Sequence, residues 1–218
     1  MLSILKVATS FSRFRRCFSK AACINSEVYV FGGCESKREL LSVENYSLLT
    51  NAWTKVSETK CTRGFSVCAF TDKVYVIGGF EHDENEVPGV TGFCYEFNTT
   101  NNKWKTLAEQ RVEKVHADST VFEGKIVVCG GLNDDFEVLN TVEAFDIVAN
   151  KWSDMPGMVN GRSNHNSVAI KNKLFVIGGS AKTCEVFDSN SRQFALLKPP
   201  SNYILEYLEH PSGATTIQ

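Results

Sequence analysis

Basic side chains recur at comparable places along this 218-residue chain, each shortly before a run of apolar residues. Arginine is well suited to holding a carboxylate or a phosphate, because its planar guanidinium offers several donors in a fixed geometry. Accessible side chains at these positions would recognise anions, whereas inaccessible ones would form local ion pairs with loop carboxylates. The residues concerned are Arg13, Arg15, Arg16, Arg63, Lys114 and Arg162.

Residue types that perform catalysis form no recognisable motif in this sequence. We find no G-x-S-x-G, H-E-x-x-H, Walker or dinucleotide-binding pattern. The histidines are expected to be solvated or hydrogen-bonded rings, because they fall singly in loops or early strands. We therefore predict no enzymatic activity, no catalytic residue and no cofactor. The four histidines are His82, His116, His165 and His210.

The eight cysteines form no C-x-x-C pair and share no common position. Cysteines scattered through apolar runs in this way are typical of free, buried thiols in a reducing compartment. Disulfides or a zinc site are the alternative, although the spacing expected of metal ligands is missing. We predict no metal site.

Composition and charge exclude several classes of partner. The net charge is −2, 43% of the residues are apolar, and no apolar stretch reaches the length of a membrane span. The basic residues beyond the N-terminal segment are dispersed, with no basic stripe interleaved with aromatics. We therefore expect neither nucleic acid nor a membrane as a partner.

The first 26 residues are basic, rich in serine and free of acidic residues, as mitochondrial targeting peptides are. However, "CFSKAACI" at 17–24 aligns with "RGFSVCAF" at 63–70, so this segment already belongs to the repeated pattern described next. We therefore favour a cytoplasmic protein over a mitochondrial one.

Four short, largely apolar segments each end in two glycines. They read "VYVFGG", "VYVIGG", "IVVCGG" and "LFVIGG". The second glycines lie 46, 52 and 48 residues apart, close to the roughly 50-residue period of one class of propeller repeat. Two aromatic residues seven positions apart run in phase with the glycines. They are Tyr46 and Trp53, Phe97 and Trp104, Phe145 and Trp152, and Phe187 and Phe194.

Each repeat holds four β-rich segments, which we call strands a to d; in the second repeat they cover 64–70, 73–79, 92–98 and 103–107. Short turns such as "TDK" and "TTNN" force antiparallel neighbours. Strand b is apolar on both faces, so each sheet must be covered on both sides, as in the radial packing of a β-propeller.

The glycine pairs are expected to allow sharp backbone bends and the close approach of another group. We predict that the recurring large aromatic rings pack against them. The structural residues predicted in this way are Gly32, Gly33, Gly78, Gly79, Gly130, Gly131, Gly178, Gly179, Trp53, Trp104, Trp152 and Phe194.

In-phase glycines and aromatics resemble the kelch repeat family, of the kelch-like (BTB-kelch) type, and "RSNHNSVAIKNKLFVIGG" at 162–179 is similar to the family consensus. The resemblance implies an all-β kelch-type β-propeller, normally of five to seven blades. Four antiparallel blades with partial flanking strands therefore predict an open propeller and a fragment or shortened relative of a longer protein. The expected divisions are a partial strand at 1–12, blades at 13–60, 61–110, 111–160 and 161–200, and the start of a fifth blade at 201–218.

The d–a and b–c connections should emerge on one rim, because the tight a–b and c–d turns occupy the other. In kelch-like proteins this rim holds the ligand, often an acidic or phosphorylated peptide, and Arg16, Arg63 and Arg162 match the arginines that precede strand a. Glu44, Glu143 and Glu185 recur two residues before the strand c aromatic, which favours an architectural role. The predicted partner-binding residues are Arg16, Arg63, Arg162, Lys114, Arg38, His82 and Asp134.

The resemblance implies substrate recognition for a cullin-RING ubiquitin ligase, with the cullin contacted through domains beyond this sequence. An actin-binding or scaffold role is the alternative. A copper radical oxidase-like propeller is a weaker one. The sequence identifies no particular partner.

Overall fold

A computed structural model describes residues 12, 14–36, 38–82 and 87–197 of the chain. Within these ranges the fold has four separate four-stranded antiparallel sheets, each built from strands that pair in chain order, and two short two-stranded hairpins. This all-β arrangement confirms the predicted fold class. We number the sheets as blades 1 to 4.

The strands of the blades have the following bounds. Blade 1 contains β1 (Lys20–Ile24), β2 (Glu27–Phe31), the short hairpin β3 (Cys34–Glu35) and β4 (Arg38–Glu39), β5 (Ser42–Ser47) and β6 (Ala52–Glu58). Blade 2 contains β7 (Ser66–Phe70), β8 (Lys73–Ile77), the hairpin β9 (Phe80–His82) and β10 (Pro88–Val90), β11 (Cys94–Asn98) and β12 (Lys103–Thr106). Blade 3 contains β13 (Asp118–Phe122), β14 (Lys125–Cys129), β15 (Val142–Asp146) and β16 (Lys151–Met155). Blade 4 contains β17 (Asn166–Ile170), β18 (Lys173–Ile177), a 3-10 helix (Gly179–Ala181), β19 (Cys184–Asp188) and β20 (Gln193–Leu196).

Turn chemistry sets the boundaries of these strands. In the turns between the third and fourth long strands of blades 1 to 3, Asn51, Asn102 and Asn150 adopt positive φ angles of 53°, 57° and 49°. Asparagine tolerates this left-handed backbone better than most residues, which is why the turns can be so short. The strands predicted in the second repeat are confirmed in type and order: β7 and β11 begin two residues later than predicted, β12 ends one residue earlier, and β8 ends two residues earlier because the glycine pair lies beyond it.

The core consists of apolar layers between neighbouring blades. Between blades 1 and 2, the Phe31 ring meets the edges of Phe97 at 5.8 Å and Trp104 at 6.1 Å between centroids. Equivalent layers join blades 2 and 3 and blades 3 and 4. Burying these apolar rings and aliphatic side chains is the main favourable term holding the sheets together.

Aromatic residues of the fourth long strand pack on the third long strand of their own blade. The prediction that these rings pack against the glycine pairs is wrong. Trp104 lies 4.8 Å from Phe97, Trp152 lies 4.9 Å from Phe145, and Trp53 lies 5.2 Å from Tyr46 between ring centroids. The pair Phe187 and Phe194 is equivalent, at 5.1 Å. The glycines end the second strand, so the third strand separates them from these rings.

Glycine pairs are instead approached by the main chain, including that of the following blade. Gly33, Gly79 and Gly131 donate backbone N–H groups to the carbonyls of Thr62, Lys114 and Arg162, at 2.8, 3.1 and 2.8 Å. All eight paired glycines have positive φ: Gly32, Gly33, Gly78, Gly79, Gly130, Gly131, Gly178 and Gly179. Positive φ and close main-chain approach are the two conditions that favour glycine over any other residue.

Consecutive blades pack through their first strands, β1 on β7, β7 on β13 and β13 on β17, and within the described residues β17 makes no comparable contact with β1. The sheets are therefore not closed, as expected of an open propeller. Across the axis, Lys20 Nζ on β1 lies 3.5 Å from Asp118 Oδ1 on β13. The predicted start of a fifth blade and nearly all of the predicted strand at 1–12 lie outside the described residues, and the blade divisions stay a prediction.

Candidate functional site

Three of the predicted partner-binding residues form buried ion pairs. Each basic residue lies 17 positions before the second glycine of its blade, and its partner lies two positions before the aromatic of the third long strand. The N–O distances are 2.5 Å for Arg16 and Glu44, 2.6 Å for Lys114 and Glu143, and 2.5 Å for Arg162 and Glu185. All six side chains are buried.

The remaining donors of these basic residues tie together the connections around each pair. Arg162 donates to the carbonyls of Gly178, at 3.0 Å, and Thr183. Its partner Glu185 accepts hydrogen bonds from the backbone N–H groups of Val159 and Asn160, at 2.6 and 2.9 Å. Hydrogen bonds to charged groups in a site shielded from water are among the strongest in proteins. The two arginine pairs therefore fix the segment before the first strand against the glycine turn and the third long strand, and the Lys114 pair fixes it against the third long strand.

The prediction that Arg16, Lys114 and Arg162 contact a partner is wrong, because their charged ends are already bound inside the blade. The architectural role predicted for Glu44, Glu143 and Glu185 agrees with this geometry. The constant spacing of 17 residues to the second glycine distinguishes these three basic residues in the sequence, because it places them at one structural position.

Blade 2 departs from this pattern. Its residue 17 positions before Gly79 is Thr62, and Tyr95 stands where the other blades have glutamate. Arg63 is therefore one position out of phase with the buried basic residues. A shift of one residue in an extended segment turns the side chain to the opposite side. Arg63 accordingly stays accessible, with 42% of its side chain exposed.

A cluster of accessible charged residues lies around Arg63, on the rim formed by the connections of blades 1 and 2. Arg63 Nε lies 3.7 Å from Glu39 Oε1, and the guanidinium stands 5.4 Å from the centroid of the Phe80 ring. His82 Nε2 lies 3.4 Å from Glu39 Oε2. Arg38 is exposed beside Glu39 in β4. We call Arg38, Glu39, Arg63, Phe80 and His82 the rim cluster.

Backbone pairing confirms that the two kinds of long connection share this rim. Cys17 pairs with Cys34, Arg63 with Phe80, and Val115 with Leu132, each joining the segment before the first strand to the segment after the second. Asp134 is exposed in the corresponding connection of blade 3. Among the described residues no hydrogen bond or ion pair joins Asp134 to the rim cluster, so the geometry brings together Arg63, His82 and Arg38 but not Asp134.

A cavity of about 600 Å³ lies at the axis, beside this rim. All four blades contribute to its wall, which includes the exposed ring of Phe18. Burial lowers the pKa of His116, and the positive charges of Lys20 and Arg63 lower it further, so this ring is uncharged near neutral pH. The lining residues are Cys17, Phe18, Ser19, Lys20, Gly64, Phe65, His116, Ala117, Asn164, His165 and Asn166.

Buried His165 should make the stability of the protein depend on pH. Burial, aided by the nearby charge of Arg162, lowers the pKa of His165 from 6.5 to about 3. Between these values the unfolded chain binds a proton that the folded chain does not, so stability falls as the pH falls from about 6.5 towards 3. We expect this group to contribute a slope of up to about 1.4 kcal/mol per pH unit in the free energy of unfolding.

Urea denaturation at a series of pH values checks this expectation. His165→Gln should show a flatter dependence than the original chain, whatever its absolute stability. His82→Gln, which alters an exposed side chain, is the control and should keep the original slope. Equal slopes for all three proteins would show that His165 is not the responsible group.

Within the described residues, no group of three or more histidine, cysteine, aspartate or glutamate side chains is arranged to hold a metal ion. The same parts of the chain contain no helix with the length and apolar character needed to span a membrane.

Radially packed four-stranded sheets with long connections on one rim define a β-propeller. The KLHDC2/KLHL20/DRC7 Kelch-repeats domain matches residues 2–179, and the chain belongs to the kelch-repeat family. Kelch-like protein 40 of Xenopus tropicalis is 30% identical over 172 residues, which cover 77% of this chain and 27% of that protein. Kelch domain-containing protein 8B of Homo sapiens is 28% identical over 156 residues, covering 68% of this chain and 44% of that protein.

A solved structure, that of YjhT, superposes with a TM-score of 0.77 at 16% sequence identity, covering 90% of this chain and 69% of the other. This likeness concerns the fold. The chain thus spans between about a quarter and just under half of the length of the two relatives compared. Its kelch-repeat homologues support a protein-interaction module as the class of function.

Proposed function

We propose that this chain binds a protein segment through the rim that carries the rim cluster. We further propose that it serves as the substrate-recognition part of a cullin-RING ubiquitin ligase. The ligand class is an acidic or phosphorylated peptide. The observation that carries the proposal is the accessible guanidinium of Arg63, in the one blade whose basic residue is out of phase with the buried ion pairs. The ligase assignment is supported by the resemblance to kelch-like proteins and by relatives that carry that name.

The contacts of Arg63 leave room for a ligand carboxylate. Its distance of 3.7 Å from Glu39 is longer than a direct hydrogen bond, and both side chains are partly exposed. Exposed ion pairs of this kind contribute little to stability, so an incoming carboxylate or phosphate replaces Glu39 at small cost. The Phe80 ring stacked near the guanidinium orients it for a bidentate contact.

Apolar contact is available at the same opening. The Phe18 ring is 67% exposed and lines the axial cavity. Exposed aromatic rings beside charged groups are common features of protein-binding surfaces. A peptide with an acidic residue on Arg63 and an apolar residue against Phe18 would use both.

Arg63→Ala tests the proposal. We expect captured partner proteins to bind the variant at least about tenfold more weakly, because a charge-assisted hydrogen bond is lost. Binding to the original chain should weaken as salt is raised. The measurement is quantitative pull-down followed by titration of the partner's binding segment.

Arg111→Ala is the matched control, since Arg111 is also an exposed arginine in an ion pair, with Asp154 at 2.8 Å, but its partner is not a member of the rim cluster. It should bind like the original chain. Captured proteins that are targets of cullin-RING ligases, and that are lost on mutation of Arg63, support the ligase role, and co-sedimentation with F-actin in their place supports the cytoskeletal alternative. Equal binding by the Arg63 and Arg111 variants would contradict the rim site.

A further inference from the structure

Two thiols lie in contact on the rim side of blade 1. Cys17 Sγ and Cys34 Sγ are 3.2 Å apart, and Cys17 Sγ is also 3.3 Å from the backbone oxygen of Cys34. Both backbone N–H groups of the pair bond the opposite carbonyl, at 2.9 and 2.8 Å. The two residues are 17 positions apart in the chain, so this contact is tertiary and not a result of sequence proximity.

The position is structurally equivalent in the other blades, but only blade 1 has thiols there. The residues that occupy it are Arg63 and Phe80 in blade 2 and Val115 and Leu132 in blade 3, joined by the same backbone pairing. In blade 4, Ser180 N–H bonds the carbonyl of Ser163 at 3.0 Å. The fold therefore places the two side chains next to each other whatever they are, and the sequence of blade 1 fills both places with cysteine.

The two thiols differ in accessibility. Cys17 is exposed and lines the axial cavity, whereas Cys34 is buried. The hydrogen bond with Cys17, together with burial, raises the pKa of Cys34. Cys17 is thus the thiol that a soluble oxidant reaches first, and Cys34 is held next to it as a second thiol.

We propose that Cys17 and Cys34 form a reversible disulfide when a low-molecular-weight disulfide such as oxidised glutathione enters the axial cavity that Cys17 lines. The Cys17 thiolate attacks one sulfur of oxidised glutathione, whose disulfide bond breaks and releases one glutathione, which takes up a proton. Cys34 then gives its proton to water and attacks the Cys17 sulfur, displacing the second glutathione. Two protein thiols are oxidised, and one small disulfide is reduced to two thiols.

Backbone geometry permits this bond. Residues that exchange both hydrogen bonds in an antiparallel pair have Cα atoms about 5.5 Å apart. Disulfides span Cα distances of about 4.4 to 6.8 Å, so side-chain rotation alone brings the sulfurs together. The bond would fix the hairpin carrying Arg38 and Glu39 to the segment before β1. It does not require that the rim bind a partner.

The purified 218-residue chain provides the test, by incubation with oxidised glutathione, trapping of free thiols with iodoacetamide, and peptide mapping. We expect two of the eight thiols to be lost together and a single cross-linked peptide pair containing Cys17 and Cys34. Reduced glutathione should restore both thiols. Cys17→Ser, at an exposed position, should abolish the cross-link and leave Cys34 free.

Cys23→Ser is the matched control, because Cys23 is also exposed and lies in β1 of the same blade. It should leave the cross-link unchanged. A stable mixed disulfide at Cys17 with no linked peptide, or the same loss of thiols in Cys17→Ser, would overturn the proposal. Since mapping of the unaltered chain alone reveals the link, the result does not depend on any variant folding or on partner binding.

Discussion

Replacing Arg162 with alanine is expected to lower the free energy of unfolding by about 3 to 5 kcal/mol, the usual cost of removing one partner of a buried ion pair. Arg162 is fully buried. Its loss leaves the Glu185 carboxylate, 2.5 Å from the guanidinium, without its positive partner in a site shielded from water. It also leaves the carbonyls of Gly178 and Thr183 without the arginine donors they now have. Chemical denaturation followed by tryptophan fluorescence measures the change.

Two further variants separate this mechanism from a general effect of losing an arginine. Arg111→Ala removes an exposed arginine from an exposed pair and should cost less than about 1 kcal/mol. Arg162→Met with Glu185→Gln removes both charges and should be less destabilised than Arg162→Ala, because no uncompensated charge stays buried and the amide oxygen still accepts one of the two N–H groups, of Val159 and Asn160, that the carboxylate oxygens accept separately. If the double replacement is as damaging as the single one, the charge is not the cause.

Gly79→Ala is expected to destabilise the protein by about 3 kcal/mol, from two additive causes. Gly79 has a φ of 101°, which costs about 1 kcal/mol or more for a residue with a side chain. A Cβ atom there would also lie 2.8 Å from the Phe65 side chain and 2.9 Å from the Arg63 carbonyl, an overlap that the rigid main chain relieves only by shifting. The midpoint of urea denaturation measures the loss.

Two other glycines separate the cost of the positive φ angle from the cost of the steric overlap. Gly124 has a φ of 72° but nothing within 4 Å of an added Cβ, so Gly124→Ala should cost about 1 kcal/mol. Gly89 has neither a positive φ nor a close neighbour, so Gly89→Ala should change stability by less than about 0.5 kcal/mol. The expected order of destabilisation is Gly79, Gly124, Gly89. A Gly79 variant no worse than the Gly124 variant would exclude the steric contribution.

The propeller architecture could be predicted from sequence because its signals are local and repeated. Short β-rich apolar runs, asparagine turns and the glycine pair each specify backbone shape within a few residues, and four repetitions remove the ambiguity of any one. For this reason the sequence predicts all four long strands of the second repeat, each within two residues of its bounds in the structure.

Side-chain direction was harder to predict, and the errors at the site come from it. Arg16, Arg63 and Arg162 look alike in the sequence, yet Arg63 is one residue out of phase, and one residue decides between the interior and the rim. Lys114 and Glu143 were predicted separately, because nothing local links residues 29 positions apart. The aromatic rings were assigned to the wrong contact for a similar reason: the sequence gives their position in the strand but not the distance from the glycines.

The hydrogen bonds from Gly33, Gly79 and Gly131 to the next blade make the repeats interchangeable at their junctions. The acceptor is a carbonyl oxygen, which every residue possesses, so threonine, lysine and arginine serve equally at positions 62, 114 and 162. Joining neighbouring blades at this point therefore does not depend on the identity of those side chains. Blade 2 therefore stays joined to blade 1 at Thr62 although that residue forms no ion pair of the kind found in the other three blades.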